Sequence, residues 1–357
     1  MNGPRLLLDV AELDDAATQA FLSPARWTEA PHHELARHGY VVREFEIGVR
    51  ARVFADGSER PPRVDSEVEV RTRALVVGPR RRDQFRGRVH VELLNPSTGQ
   101  DFPMYWPDVA HHLIRSGDAY VGVTCKQVTV DALRAIAPDR YGGLSIQHDG
   151  AVWDLLGAVG GTLRTDSERL LPGLGIPEVV VTTGWSQSGS FLRTYLSEGL
   201  HALHTAELGH PAFDAFLIGV SSGGFGPMGY IPVDRHGEMS FDDDLMPVGD
   251  PLPQLPMTDA RRVVRGSHVP VLELMSQDEA LHHVWHQRPD SDAPGDLFRC
   301  YQLPGRGHES GLLEESARGA DHRAANVLGA PAEAGTAPPQ HIASRFLLPA
   351  AVEALMG

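Results

Sequence analysis

The sequence predicts an α/β fold, built on a mainly parallel sheet with helices on both faces. Three observations lead to this prediction. Short apolar segments rich in β-branched residues recur along the chain, helix-like segments alternate with them from about residue 106, and polar residues follow several of them directly. Strands that are buried on both faces appear as nearly continuous apolar runs, and parallel neighbours need a crossover, usually a helix. Ligands of such sheets bind beyond the carboxyl ends of the strands.

The predicted elements follow in chain order. Strand-like stretches with partial alternation make the first part β-rich, at 40–47, 68–77 and 87–94. Further strands are predicted from apolar runs at 119–124, 179–183, 215–220, 269–275 and 297–303. Helices are predicted from apolar spacing at 106–116, 150–164, 191–196 and 342–356. This alternation favours parallel pairing in the second part of the chain.

Two segments interrupt the alternation. Residues 221–266 are rich in Gly, Pro and Asp, and an excursion of this length usually forms a lid or a binding loop. Four large apolar side chains within it indicate an apolar lining: Phe225, Met228, Tyr230 and Phe241. Residues 319–340 are rich in Ala, Gly and Pro and predict an exposed connection to the last helix. We therefore expect one domain over residues 1–357 with a lid-like excursion.

Composition excludes several classes of partner. The formal net charge is -15 and there is no basic stripe, which argues against a nucleic-acid surface. The apolar stretch near the N-terminus is too short for a secretion signal, and no run approaches membrane-spanning length. The two cysteines, Cys125 and Cys300, are expected to be free thiols. We expect a cytoplasmic protein with no membrane partner, and a homo-oligomer stays open.

The segment Gly184 to Gly189 (GWSQSG) lies between the strand at 179–183 and the helix at 191–196. Strand, sharp turn and helix with a serine at the tip are typical of the nucleophile elbow of serine hydrolases. The usual G-x-S-x-G pattern has glycine where Ser188 stands, and serine is small enough for the same close approach. The pattern predicts Ser186 as a nucleophile and the backbone N–H of Gln187 as a donor to the bound carbonyl oxygen.

A serine nucleophile needs a general base and an acid that orients the base. In α/β proteins with such a nucleophile elbow, the acid precedes the histidine in the chain, and both follow the serine. Asp278 and Glu279 come just after the predicted strand at 269–275, and His308 follows the last strand within a glycine-containing loop. We predict His308 as base and Asp278 as acid, with Glu279 as the alternative. Asp278 could also cap a helix over 280–286.

The loop at 95–99 is the expected source of a second oxyanion donor. It follows the predicted strand at 87–94, which we take as the third strand of the core, and the loop after that strand supplies this donor in such folds. Pro96 has no N–H, so the candidates are the backbone of Asn95 or Ser97 and the side chain of Asn95. The sequence does not choose among them.

A histidine-rich segment offers a metal-binding alternative. His282 and His286 are one helical turn apart, but no third ligand is evident in the sequence. We expect no metal and no cofactor.

Four segments resemble the α/β-hydrolase-domain family of bacterial serine hydrolases: residues 85–106, 115–144, 184–196 and 288–310. Members carry a G-x-S-Q-S elbow, an R-Y-G-x-L segment (here residues 140–144) and a P-D-[ST] segment followed by G-x-x-H. The resemblance covers roughly residues 40–320. It implies an α/β-hydrolase fold with Ser186 as nucleophile, His308 as base, and the acid at the strand end near Asp278.

Trp185 stands where members often have another residue type, and we expect it to shape the acyl pocket. Together these features predict a carboxylic ester hydrolase that acts through an acyl-enzyme on a medium-sized, partly apolar small-molecule ester. Lactone or amide hydrolysis and acyl transfer would use the same three residues and remain alternatives. A non-catalytic binding protein on a hydrolase scaffold is the alternative from another class.

Overall fold

The computed structural model describes residues 6–13, 35–55, 62–97, 101–221, 259–282, 288–304, 308 and 348–355. It also gives the backbone of two short strands at 240–241 and 247–248. Most of the predicted lid, 221–266, and all of the predicted connection, 319–340, lie outside the described residues.

One large sheet organises the described part of the chain. Its strands are β1 (Asp9–Glu12), β2 (Tyr40–Phe54), β3 (Val64–Pro79), β4 (Arg88–Leu93), β5 (Ala119–Val123), β6 (Ser145–Ile146), β7 (Val179–Trp185), β8 (Ala215–Gly219), β11 (Val271–Ser276), β12 (Ser291–Ala293) and β13 (Asp296–Leu303). Two further strands, β9 (Ser240–Phe241) and β10 (Pro247–Val248), pair only with each other.

The order across the large sheet is β1-β2-β3-β5-β4-β7-β8-β11-β13-β12, with β6 paired to β3. The six central strands from β5 to β13 pair in parallel. The strands β1 to β3 and β12 extend the sheet with antiparallel pairs. The predicted mainly parallel sheet is therefore confirmed, and an antiparallel hairpin of long strands adds to one side of it.

Helices cover both faces of the sheet. They are α1 (Trp106–Ser116), α2 (Gln127–Ile136), α3 (Pro138–Tyr141), α4 (Val152–Thr165), α5 (Gln187–Ser197), α6 (Leu200–Leu208) and α7 (Gln277–His282), with a further helix at 348–355, α8. One apolar cluster joins α4 and α5 to β4 residues such as Val89 and Val91. The other cluster joins α1 and α8 to the opposite face, and Trp185 belongs to it.

A buried polar network ties the antiparallel hairpin to the helices. The Arg52 guanidinium in β2 lies 2.8 Å from a carboxylate oxygen of Asp154 in α4 and 2.5 Å from one of Glu207 in α6. His204 contacts Asp154 at 2.8 Å through one ring nitrogen and the Tyr195 hydroxyl at 2.8 Å through the other. Burial would raise the pKa of Asp154, but hydrogen bonds from His204 and Arg52 bring it down to about 2.

Cys125 and Cys300 are both free thiols, as expected; Cys125 is buried and Cys300 is half-buried. Within the described ranges, none of the helices has the length and apolar character needed to cross a bilayer.

Candidate active site

The turn from β7 to α5 holds Ser186 in a strained backbone conformation. Its φ is 55° and its ψ is -120°, a region that residues with a side chain rarely adopt. The Ser186 N–H donates to the carbonyl of Gly219 in the neighbouring strand at 2.9 Å. A Cβ on Gly184 would lie 2.5 Å from the Ser188 carbonyl oxygen, and one on Gly189 would lie 3.0 Å from the carbonyl oxygens of Gly184 and Gly219. The two glycines allow the tight turn that projects Ser186 from the sheet.

Ser188, which stands at the usual second glycine position, has a specific structural role. Its side chain is fully buried. The Trp185 N–H donates to the Ser188 hydroxyl at 2.9 Å, and that hydroxyl lies 3.0 Å from the Trp185 carbonyl oxygen. Ser188 therefore fits the turn and also satisfies backbone polar groups of Trp185, the residue before Ser186.

His308 lies between the Ser186 hydroxyl and the Glu279 carboxylate. Its Nε2 is 2.8 Å from Ser186 Oγ, and its Nδ1 contacts Glu279 Oε1. The imidazole is 40% exposed, whereas the Glu279 side chain is 2% exposed. This is the order of nucleophile, base and orienting acid that acyl transfer by serine requires.

The carboxylate that contacts His308 belongs to Glu279, the alternative acid, and not to Asp278, the first choice. The side chain of Asp278 lies outside the described residues. Helix α7 begins at Gln277, so the expected cap at Asp278 is also wrong, because this residue lies inside the helix. Burial would raise the pKa of Glu279, but hydrogen bonds from His308 and Ser276 outweigh it, and the pKa lies below its usual value.

Glu279 is identified by a signal that the sequence contains. Ser276 is the last residue of β11, and its N–H donates to Glu279 Oε2 at 2.7 Å. Its hydroxyl contacts the same oxygen and lies 3.4 Å from the Glu279 backbone nitrogen. This is a capping box, S-x-x-E, at the start of a helix. The pattern SQDE at 276–279 was available in the sequence and singles out the glutamate.

Gln187 is the first residue of α5, so its N–H lies at the helix N-terminus, directly after Ser186. Asn95 is engaged elsewhere. Its N–H donates to the Phe102 carbonyl at 2.9 Å, and its side-chain amide donates to the Trp185 carbonyl at 2.7 Å. The N–H of Ser97 donates to the Asn95 side-chain oxygen at 2.8 Å. Asn95 therefore closes its own loop and holds that loop against the elbow with one of its two amide hydrogens, and its expected role as second oxyanion donor stays a prediction.

Trp185 packs inside the protein. The residue is fully buried, its indole N–H donates to the Thr183 hydroxyl at 2.9 Å, and its ring lies 6.4 Å from the Tyr105 ring, centroid to centroid. A Cβ on Gly219 would lie 2.2 Å from the indole. The expectation that Trp185 shapes the acyl pocket is replaced by a packing role beneath the elbow.

A buried ion cluster fixes the far end of the loop that follows β4. Asp101 lies 2.8 Å from the Arg73 guanidinium, and Arg73 lies 3.1 Å from Glu44. The hydroxyl of Tyr141 donates to Glu44 at 2.7 Å, and Arg140 donates to it through Nε at 2.8 Å. Arg140 and Tyr141 of the R-Y-G segment are thus linked through Glu44 and Arg73 to Asp101, which lies at the end of the loop beside the elbow.

The metal-binding alternative falls outside what the structure describes, because the side chains of His282 and His286 are not among the described ones. Among the residues that are described, no group of three His, Cys, Asp or Glu side chains is arranged to hold a metal ion.

The fold and the site define a class: an α/β hydrolase with a serine, a histidine and a carboxylate at the carboxyl ends of parallel strands. Comparison with protein families agrees. The family described as "Alpha/beta hydrolase domain" matches residues 10–357, and the chain belongs to this family. A search of curated proteins found no match.

Several solved structures are similar to this chain at low identity. The carboxylesterase Cest-2923 from Lactobacillus plantarum is 11% identical, with a TM-score of 0.43 over 80% of this chain and 92% of that chain. A fungal esterase from Rhizomucor miehei is 11% identical, with a TM-score of 0.39 over 94% and 91% of the two chains. Est1E from Butyrivibrio proteoclasticus is 13% identical, with a TM-score of 0.38 over 80% and 96%.

Proposed function

We propose that the protein is a serine carboxylic ester hydrolase. The observation that supports this most directly is the contact chain in which His308 reaches Ser186 Oγ at 2.8 Å and Glu279 on its other side. A carboxylate that accepts from Nδ1 fixes the imidazole tautomer, so that Nε2 is free of its proton and can accept the one on the serine.

In the proposed mechanism Ser186 Oγ attacks the acyl carbonyl while His308 Nε2 takes its proton. The N–H of Gln187 donates to the oxygen that becomes negative, where the start of α5 also favours negative charge. His308 then returns the proton to the leaving alcohol, which gives an acyl-enzyme on Ser186. Water, deprotonated by the same histidine, releases the carboxylic acid and regenerates the serine.

A fluorophosphonate probe tests the nucleophile without knowledge of the substrate. We expect covalent labelling of Ser186 in the wild type and none in Ser186→Ala, measured by intact-protein mass spectrometry and peptide mapping. A thermal melt of both proteins serves as control for folding. A folded wild type that remains unlabelled would contradict the proposal and favour the non-catalytic alternative.

The substrate is proposed to be an ester of medium size and partly apolar character. Rates on p-nitrophenyl esters of increasing acyl length, compared with matched lactones and amides, test this. We expect hydrolysis of the esters to dominate, with an optimum at intermediate acyl length. Faster turnover of lactones or amides would replace the ester assignment while keeping the same nucleophile.

The acid is proposed to be Glu279. We expect Glu279→Gln to lower kcat by about 10³–10⁴-fold, because the neutral amide cannot stabilise the imidazolium and can favour the wrong tautomer. Asp278→Asn is the matched control and should retain activity within a few-fold. Steady-state kinetics on the best ester measure both variants. If Asp278→Asn were the inactive one, the assignment to Glu279 would be wrong.

A further inference from the structure

The capping box at 276–279 fixes both oxygens of the Glu279 carboxylate. Oε2 accepts from the Ser276 N–H at 2.7 Å and contacts the Ser276 hydroxyl, whereas Oε1 contacts His308 Nδ1. The side chain is almost fully buried. A carboxylate bound at both oxygens cannot rotate without losing hydrogen bonds to a charged group, which are among the stronger ones in proteins.

Ser276 is itself held by the sheet. It is fully buried, and as the last residue of β11 it lies opposite Leu303 of β13 in the parallel register. His308 follows β13 a few residues later. The same pair of strands therefore fixes the serine that binds one oxygen of Glu279 and leads to the histidine that binds the other.

We propose that Ser276 is a positioning residue of the active site: its hydroxyl and N–H orient Glu279, and through it His308. The proposal rests on the proposed function, since it assigns Ser276 a role in that reaction. A capping box ordinarily stabilises only the start of a helix. Here the same hydrogen bonds also set the direction of the catalytic carboxylate.

The test compares Ser276→Ala with Ser267→Ala. Ser267 is also a buried serine, and its hydroxyl donates to the Val269 carbonyl at 2.6 Å. Each change removes one buried hydroxyl, so both should lower the melting temperature. Only Ser276→Ala should lower kcat, by about tenfold, the equivalent of one hydrogen bond to a charged group, with KM changed less than about twofold.

The pH profile separates orientation from mere stability. Without the Ser276 hydroxyl, the negative charge on Glu279 is less neutralised and attracts the imidazolium more strongly. The acid limb of kcat/KM should then move to higher pH in Ser276→Ala, and should not move in Ser267→Ala. The rate of fluorophosphonate labelling should fall in parallel with kcat.

The outcomes are distinguishable. A wild type without hydrolytic activity or labelling would contradict the proposed function itself. An active wild type, together with a Ser276→Ala variant that melts earlier but keeps the wild-type kcat and acid limb, would overturn the positioning role alone and leave Ser276 as a helix cap.

Discussion

At the scale of the residue, Ser186 has a strained backbone. The strain comes from its Cβ atom, because a residue without a side chain adopts the same backbone angles at little cost. Its φ of 55° is unfavourable for serine and acceptable for glycine. Ser186→Ala and Ser186→Gly both remove the hydroxyl, but only glycine relieves the strain. We expect Ser186→Gly to be more stable than Ser186→Ala by about 1 kcal/mol, after the entropy that glycine adds to the unfolded chain.

Urea unfolding of the two Ser186 variants measures this difference directly. Gly173→Ala provides a contrast in the opposite direction, because Gly173 has a φ of 79° and open space around its Cβ position. That substitution introduces strain without a clash. Equal stability of the two Ser186 variants would show that the elbow relaxes when the serine is lost.

The sequence predicts Ser186 and His308, whose side chains lie 2.8 Å apart, from local signals: each follows an apolar strand and has small residues beside it. The choice of acid depended on finer geometry. Asp278 and Glu279 are adjacent, and a register difference of one residue on a helix turns a side chain by about 100°. The S-x-x-E pattern contains the needed information, since its glutamate must fold back towards the strand end.

At the scale of the element, helix α1 begins without a cap from its own residues, and Glu92 of β4 takes that role. Tyr105 at the N-cap makes no side-chain cap. The Glu92 carboxylate accepts from the Tyr105 N–H at 2.8 Å, the Trp106 N–H at 3.3 Å and the Tyr120 hydroxyl at 2.7 Å. These donors suit a carboxylate, yet burial raises the pKa of Glu92 to about 7.

This raised pKa predicts a pH-dependent stability. Between pH 4.5 and 7 the folded state keeps the Glu92 proton that the unfolded state has lost, so the free energy of unfolding falls as pH rises. We expect Glu92→Gln to remove a decline of about 2.5 kcal/mol between pH 5 and pH 8.

The measurement is the difference between wild-type and Glu92→Gln unfolding curves at each pH. A difference is needed because burial lowers the pKa of His201 to about 4, which makes stability rise with pH up to about 6.5. Parallel pH profiles for the two proteins would mean that Glu92 is already ionised in the folded state near pH 5.

At the scale of the whole molecule, the parallel centre was predictable and the antiparallel side was less so. Apolar strands that alternate with helices along the sequence are enough to predict a parallel sheet. Strand β2, in contrast, continues to Phe54, well beyond the predicted end at 47, through Arg50 and Arg52. Arg52 is buried because Asp154 and Glu207 pair with it. The sequence around Arg52 cannot predict this burial, because the two carboxylates that pair with Arg52 lie more than a hundred residues away in the chain.

The double use of Glu279 has an evolutionary consequence. Glutamine satisfies a capping box as well as glutamate does, and a single base change converts one codon into the other. If Glu279 is the acid, as proposed, the site can therefore lose its activity in one step while helix α7 keeps its start. An aspartate, one methylene shorter, would have to reach the same two partners from farther away. On the proposed mechanism, folded but inactive variants are thus one base change away from this sequence.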